Sequence, residues 1–449
     1  ITFVVENLGS TIGELRPVPA GGSFVIGGPG TFILDAGRNL DLRPSRPEER
    51  NPFDPNQITV SSRQFGVLAV GNRINPYRAA ESADLMLLFG TAPGKDIAAF
   101  IDRYLDPANA GGVETTYIDD VLDFMQVRAA ALGTPATFTT PEQALAAFRA
   151  LPEDEQLPLI ARVYFDELRS IIPGPDAAFT VNQRRAFEAV ATLFPASLGY
   201  TDQFASPVQP VRTGNFDMVN ALVRTDYGSS ITFMGPGGDA QIGGFTVDAA
   251  LPLNFQGIFT LRGGTIEAAL DGSYNVNNSR VITAQGGDIT VFSANGDIDA
   301  GRGAKTASFS PPINCVYTDN TSCSVDFGGI ITGSGIGTLV TLPGGEIGDV
   351  FLIAPRGTVD AGEGGIRAAG NLAIVAVQVL NATNVQVGGA SVGLPQAAAS
   401  PAGALQSSQG TQAALGSQAL EQIATAAGAQ SAADGLPSIV TVEVLSFGE

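Results

Sequence analysis

An internal repeat constrains this chain more than any other feature. The run Gly287-Asp288-Ile289-Thr290-Val291-Phe292 is echoed 61 residues later by Gly348-Asp349-Val350-Phe351-Leu352-Ile353. Asp297-Ile298-Asp299-Ala300-Gly301 is echoed over the same interval by Thr358-Val359-Asp360-Ala361-Gly362. Apolar residues fall at alternate positions, as in half-buried strands, and Asn295-Gly296 supplies the backbone freedom for a corner between them. Related strand starts fall at Ile266, Ile289, Val350 and Leu372; the first two are 23 residues apart and the last two 22. Taking 61 as close to three such steps, the chain advances by one coil of roughly 20 residues at a time, which is a solenoid period. Stacked at about 4.8 Å, such coils bury their inward Ile, Val, Leu and Phe against one another. The expected fold is mainly β, a right-handed parallel β-helix.

The pattern divides the chain into four regions. Residues 1–80 carry N-terminal coils: Thr31-Phe32-Ile33-Leu34 and Leu40-Asp41-Leu42 flank a Gly37 corner, 65–70 reads as a further strand, and 43–56 reads as an outward loop rich in Pro and charge. Over 81–200 the period changes from two to 3.6, which predicts an inserted α-helical domain. Its stripes are Ile97, Phe100, Ile101, Tyr104 and Leu105; Ile118, Val121, Leu122 and Met125; Ile160, Val163, Tyr164 and Leu168; and Phe187, Val190, Leu193 and Phe194. Thr140-Pro141-Glu142 and Leu151-Pro152-Glu153 mark helix starts. Residues 201–392 return to the coil pattern, with 229–239 as the first new coil and protruding loops near 247–254 and 309–326. The last region, 393–449, is rich in Ala, Ser, Gln and Gly, with a short helix expected over 411–427 and a β-prone strand over 439–445. Val440, Val442 and Val444 alternate along that strand and are the candidate assembly residues.

Charge and residue usage narrow the function. A net charge of -20 with 24 Lys and Arg residues argues against nucleic acid and anionic membranes as partners. No apolar run reaches 18 residues, so no transmembrane segment is expected and the chain reads as soluble. Residues 1–5 have no basic start or apolar core, so the chain is expected to be a piece that lacks its parent's export signal. Histidine is absent, which removes the commonest general base, the Ser-His-Asp arrangement and most zinc sites. Cys315 and Cys323 bracket a short polar turn and read as a structural disulfide formed in an oxidising compartment, with two unpaired thiols as the alternative.

Carboxylates are what remains for chemistry. Asp239, Asp288, Asp297 and Asp299 stand out, and Asp297 and Asp299 would point to the same side of a strand. Because Asp349 and Asp360 recur at the same repeat positions, these acids read as turn caps accepting backbone N–H groups rather than as a unique catalytic pair. The chain is therefore read as non-enzymatic. The alternative is a carbohydrate-active β-helix enzyme using the carboxylates of the 286–303 coil. No cofactor is expected; calcium would bind only incidentally, because both the nonapeptide and the twelve-residue calcium loops are missing. Glu153-Asp154-Glu155 and Asp166-Glu167 read as solvated acidic helix faces, and Arg184-Arg185 carries no signal of its own.

Several runs together resemble the C-terminal region of filamentous-haemagglutinin-type large exoproteins of Gram-negative bacteria. They are 287–306, Val379-Leu380-Asn381-Ala382 with Asn384-Val385-Gln386-Val387-Gly388-Gly389, Phe165-Asp166-Glu167-Leu168-Arg169, the Gly37-Arg38-Asn39 coil, and the closing Val442-Glu443-Val444-Leu445-Ser446-Phe447-Gly448, so the resemblance covers nearly the whole chain. The resemblance implies a β-helical adhesin or surface structure, secreted or associated with the outer membrane at the cell surface. It implies export by two-partner secretion through an outer-membrane transporter. The partners it implies are host, bacterial or matrix surface proteins or glycans. It carries over no catalytic residue. Open coil ends and the terminal strand further raise the expectation of a homo-oligomer.

Overall fold

A computed structural model describes residues 24–42, 49–51, 54–59, 65–72, 81–109, 116–134, 138–172, 179–219, 221–244, 256–303, 308–309, 314–317, 323–326 and 329–394. These residues build a parallel β-helix. Its regular coil has three strands, such as Gly257–Thr260, Ile266–Leu270 and Tyr274–Asn275, or Arg280–Ala284, Ile289–Ser293 and Ile298–Asp299. First strands stack into an eight-stranded parallel sheet running from Phe24–Ile26 to Val385–Val387. Second and third strands make up a 13-stranded sheet, because they merge in Val350–Asp360 and Leu372–Leu380.

Local chemistry explains why the coils stack in register. Inward residues of the second strand form one column, Leu85, Ile231, Ile266, Ile289, Val350 and Leu372, at most 1% exposed. Four of the corners that follow a first strand are closed by a buried threonine. Thr225, Thr260, Thr283 and Thr338 donate their hydroxyls to the carbonyls of Ser229, Gly264, Gly287 and Gly348 at 2.7, 2.9, 2.8 and 2.7 Å. Those corners lie so close that Gly287, at φ +82°, could not carry a Cβ: the atom would sit 1.9 Å from the Gly264 carbonyl oxygen.

The register corrects the expected coil count. Ile289 pairs directly with Val350, so the 61-residue interval is one step of the shaft. The extra length is an arm that leaves after Gly303 and returns at Gly335, opposite Arg280. Within the arm, Ser308–Phe309 pairs antiparallel with Ile331–Thr332, and Asn314–Tyr317 pairs with Cys323–Asp326. The proline-rich stretch near residue 50 likewise contains an antiparallel pair, Glu49–Asn51 with Asp54–Thr59.

The helices interrupt the second coil, between its strands Ala83–Phe89 and Phe216–Asp217. They are α1 (Ile97–Phe100, continued by a π-helical turn, Ile101–Leu105), α2 (Ile118–Ala131), α3 (Pro141–Arg149), α4 (Glu153–Arg169) and α5 (Phe179–Leu193). Thr140 caps α3 by accepting the Gln143 N–H at 3.4 Å. The expected helical start near residue 81 moves, because Ala83–Phe89 is a strand that is apolar on both faces. Leu85 and Leu87 point into the shaft core, while Met86 and Leu88 point out beneath the helices.

The helices form a layer that shares one buried cluster with the shaft. Met86, Leu88, Met234, Ala269, Phe292, Ile353 and Val375 supply the sheet side; Phe100, Tyr164, Phe187 and Phe194 are among the helical side chains that cover them. No helix among the described residues is long and apolar enough to cross a membrane. The 247–254 loop, the 411–427 helix and the strand carrying Val440, Val442 and Val444 lie outside the described residues.

Candidate functional site

The shaft has three sides, and two of them are covered. On the first, Leu68, Leu222, Phe259, Leu261, Ile282 and Ala284 form a buried cluster with Ile331 of the arm. On the second lie the helices. The third is built from short strands whose inward residues, Leu40, Phe216, Ala240, Tyr274, Ile298 and Val359, are buried. Its outward column reads Asp41, Asp217, Gln241, Asn275, Asp299 and Asp360. Among the described residues no apolar cluster covers that column, which makes this side the candidate surface for recognition.

Its edge carries a second polar column. The side-chain oxygens of Asn39, Asn215, Asp239, Ser273 and Asp297 each accept a backbone N–H from the next coil: those of Asn215, Asp239, Ser273, Asp297 and Thr358, at 2.9, 3.1, 2.8, 3.1 and 2.7 Å. At the other end of the second strands, Asp84 accepts from Ser230, Asp288 from Asp349, Asp349 from Asn371 and Asn371 from Ala390, at 2.7 to 2.9 Å. Asp299 and Asp360 each accept the N–H two residues on, from Gly301 and Gly362 at 2.7 Å. The repeat carboxylates therefore bind corners. They follow one another up the shaft and do not converge on a common point, and Asp239 is also paired with Arg212 at 2.8 Å. Among the described residues no group of three or more Asp, Glu or Cys is arranged to hold a metal ion.

Burial raises the pKa of Asp84 among these corner acids, opposed by the Ser230 N–H; two further carboxylates raised by burial lie where the helical layer meets the shaft. Asp271, 2% exposed, accepts from Gln203 Nε2 at 2.9 Å, Asn295 Nδ2 at 2.7 Å and Thr201 Oγ1 at 3.0 Å. Burial raises its pKa, and the three donors oppose that rise. Arg356 joins the same knot, donating to Gln203 Oε1 at 2.7 Å and Asn295 Oδ1 at 2.8 Å, with its guanidinium 4.0 Å from the centre of the Phe187 ring. Arg169, at the end of α4, donates to Glu267 at 2.8 Å and to Thr290 at 3.2 Å, tying the helix to two adjacent coils. Glu267 is raised by burial and pulled back by Arg169.

One acidic face reads differently in three dimensions. Glu167 is 1% exposed; Arg185 donates to both of its oxygens, at 2.7 and 2.5 Å, and Tyr117 donates its hydroxyl at 2.7 Å. It is thus an internal anion between α4, α5 and the start of α2, and Arg185 is its counter-ion. Helical spacing could have flagged Glu167, since Val163, Tyr164 and Leu168 of the same helix are buried. Asp271 carried no such signal, because its partners are 68 to 70 residues away or on a neighbouring coil.

The two cysteines occupy the antiparallel pair of the arm. Cys315 is opposite Val325 and Cys323 opposite Tyr317, one diagonal step apart in the ladder; their side chains lie outside the described residues.

Residues 286–396 match the model of a family described as filamentous haemagglutinin family outer membrane protein. That stretch contains the Gly287 corner, the arm and the last coils, and it supports a filamentous-haemagglutinin-type relationship for this part of the chain. No curated protein and no solved structure matches the chain.

Proposed function

We propose that the chain is a length of shaft from a non-enzymatic, adhesin-type protein at the surface of a Gram-negative bacterium. The reading is supported by the family match, whose description points to an outer-membrane-associated exoprotein. One structural observation carries the non-enzymatic part of it: each repeat carboxylate holds a backbone N–H of its own or the next coil, instead of converging with another acid on a substrate position. Recognition is then spread over many weak contacts along the polar third side, as multivalent binding requires. The acidic column there selects partners that present basic groups. Export would be by two-partner secretion, with coils folding one on another as they emerge, and a Cys315–Cys323 disulfide would close the arm in the oxidising exterior.

The test is to expose the purified chain to immobilised matrix proteins, glycans and whole cells, and to soluble polysaccharides in parallel. Saturable binding without depolymerisation is the expected outcome. Release of shortened sugar that disappears in an Asp297→Asn, Asp299→Asn variant would replace this reading with the carbohydrate-active enzyme. Thiol titration of the unreduced chain checks the disulfide: no reactive thiol is expected, and two would exclude the bridge.

A further inference from the structure

We propose that Phe204 and Arg356 form a second docking site, apart from the third side, for an extended segment of a partner protein that carries a carboxylate beside a large apolar side chain. Phe204 sits on the loop that leads from the helical layer to the strand Phe216–Asp217. Buried side chains pin this loop. Thr201 and Gln203, each 2% exposed, both donate to Asp271, and Thr201 Oγ1 also accepts the Val211 N–H at 2.9 Å, which closes the loop at its base. Asp202 accepts the Phe204 N–H at 2.9 Å. Phe204 itself is 53% exposed. An exposed aromatic on a backbone already held in place loses little freedom on binding, which is the condition of an anchor residue.

Arg356 lies beside it, because its Nη2 donates at 2.6 Å to the Gln203 carbonyl, one peptide bond from Phe204. The strand register shows how it arrives there. Ala354 pairs with Ala376 and Thr358 with Gln378, so Pro355, Arg356 and Gly357 face Val377 alone, in a bulge that re-aims the arginine to the surface. Val377, opposite the bulge, is 72% exposed and supplies a second apolar contact.

Charge says what fits there. Arg103, Arg128, Arg149 and Arg162 of the helical layer each meet a carboxylate. Arg356 donates only to neutral oxygens, those of the Gln203 side chain, the Gln203 backbone and the Asn295 side chain. Asp271 lies within electrostatic range, but its oxygens receive Gln203, Asn295 and Thr201. The guanidinium is thus fixed, and its remaining N–H groups are open to a carboxylate from outside. The neighbouring amides are already engaged: Asn295 Nδ2 donates to Gln203 and Asp271, and Gln203 Oε1 receives two bonds. That leaves little for the hydroxyl groups of a sugar and favours a peptide.

The experiment pans the full chain against a phage library of random peptides about twelve residues long, at about 0.15 M salt, where charges more than about 8 Å away are screened. Enriched peptides should share an Asp or Glu next to Leu, Phe or another large apolar residue. Phe204→Ala, at an exposed position, should weaken them about tenfold, as loss of an anchor does, with the urea midpoint unchanged. Replacing the peptide's acid by its amide should cost a similar factor on the native chain and nothing further on Arg356→Gln. The absence of an enriched acidic and apolar family, equal binding by Phe204→Ala, or amide peptides that bind as tightly as the acids would overturn the proposal. Such a failure leaves the surface-protein reading intact, because basic partners on the third side do not need Phe204.

Discussion

Glu167 and Asp271 are two buried carboxylates with different electrostatics. Glu167 has a full counter-ion in Arg185, so removing that partner leaves a charge in the interior with only a tyrosine hydroxyl. Arg185→Ala should therefore lower stability by about 3 kcal/mol, in the range for a broken buried pair, read from urea melts. Asp271 has neutral donors close around it, and burial raises its pKa in the folded protein. The folded state then holds the proton more tightly than the unfolded state. Its contribution to stability is fully present below the unfolded carboxyl pKa and is lost as pH rises through the raised folded value. Melting temperatures measured across that window should fall with pH more steeply for the native chain than for Asp271→Asn; parallel curves would show that Asp271 does not titrate this way.

At the scale of single elements, the corner is the unit that repeats. A strand of this shaft is short, five residues in Ile266–Leu270 and Ile289–Ser293, so its position depends on how tightly the flanking corners nest. Gly287 fits against Gly264, and Gly348 against Gly287, each with room for no side chain. Gly287→Ala should destabilise the shaft by about 3 kcal/mol, because its Cβ would meet a backbone carbonyl that two coils hold in place. Gly344→Ala, at a corner with nothing within 4 Å of the added atom, is the control for φ strain alone. Equal losses in the two variants would show that nesting is not the cause. The helices follow another rule: α4 is amphipathic, and its apolar stripe belongs to a buried cluster whose sheet side is drawn from several coils. Its stability comes from packing on the shaft more than from its own propensity.

Across the shaft as a whole, the described residues make two sides that are covered and a third that is polar. Two sides turn an apolar stripe outward, and the helices and the arm cover these stripes; the third side turns Asp, Asn and Gln outward. The chain as a whole carries a net charge of -20, which repels itself when folded compactly. Raising the salt from about 0.05 M to about 0.5 M should raise the melting temperature, because the Debye length falls from about 14 Å to about 4 Å. The same change should weaken binding to a basic surface by the third side. Binding that survives high salt would point to the apolar residues exposed elsewhere, such as Val377 at 72% and Ile347 at 64%.

The sequence by itself determined the rungs. Alternating apolar residues at Ile266, Ile289, Val350 and Leu372, and Asp-Gly corners between strands, are local signals, and period two or 3.6 depends only on which neighbours along the chain share a face. For the same reason the helical stripes, and the repetitive role of Asp297, Asp299, Asp349 and Asp360, were legible before any coordinates. Tertiary structure decided which rung lies on which. The 61-residue interval could not reveal that it contains one step and an arm, because pairing between rungs is a long-range choice made by nested corners and matched apolar columns. It also decided which acids are buried. Glu167, Glu267 and Asp271 owe their surroundings to Arg185, Arg169 and Gln203, residues brought close only when the helical layer closes over the shaft.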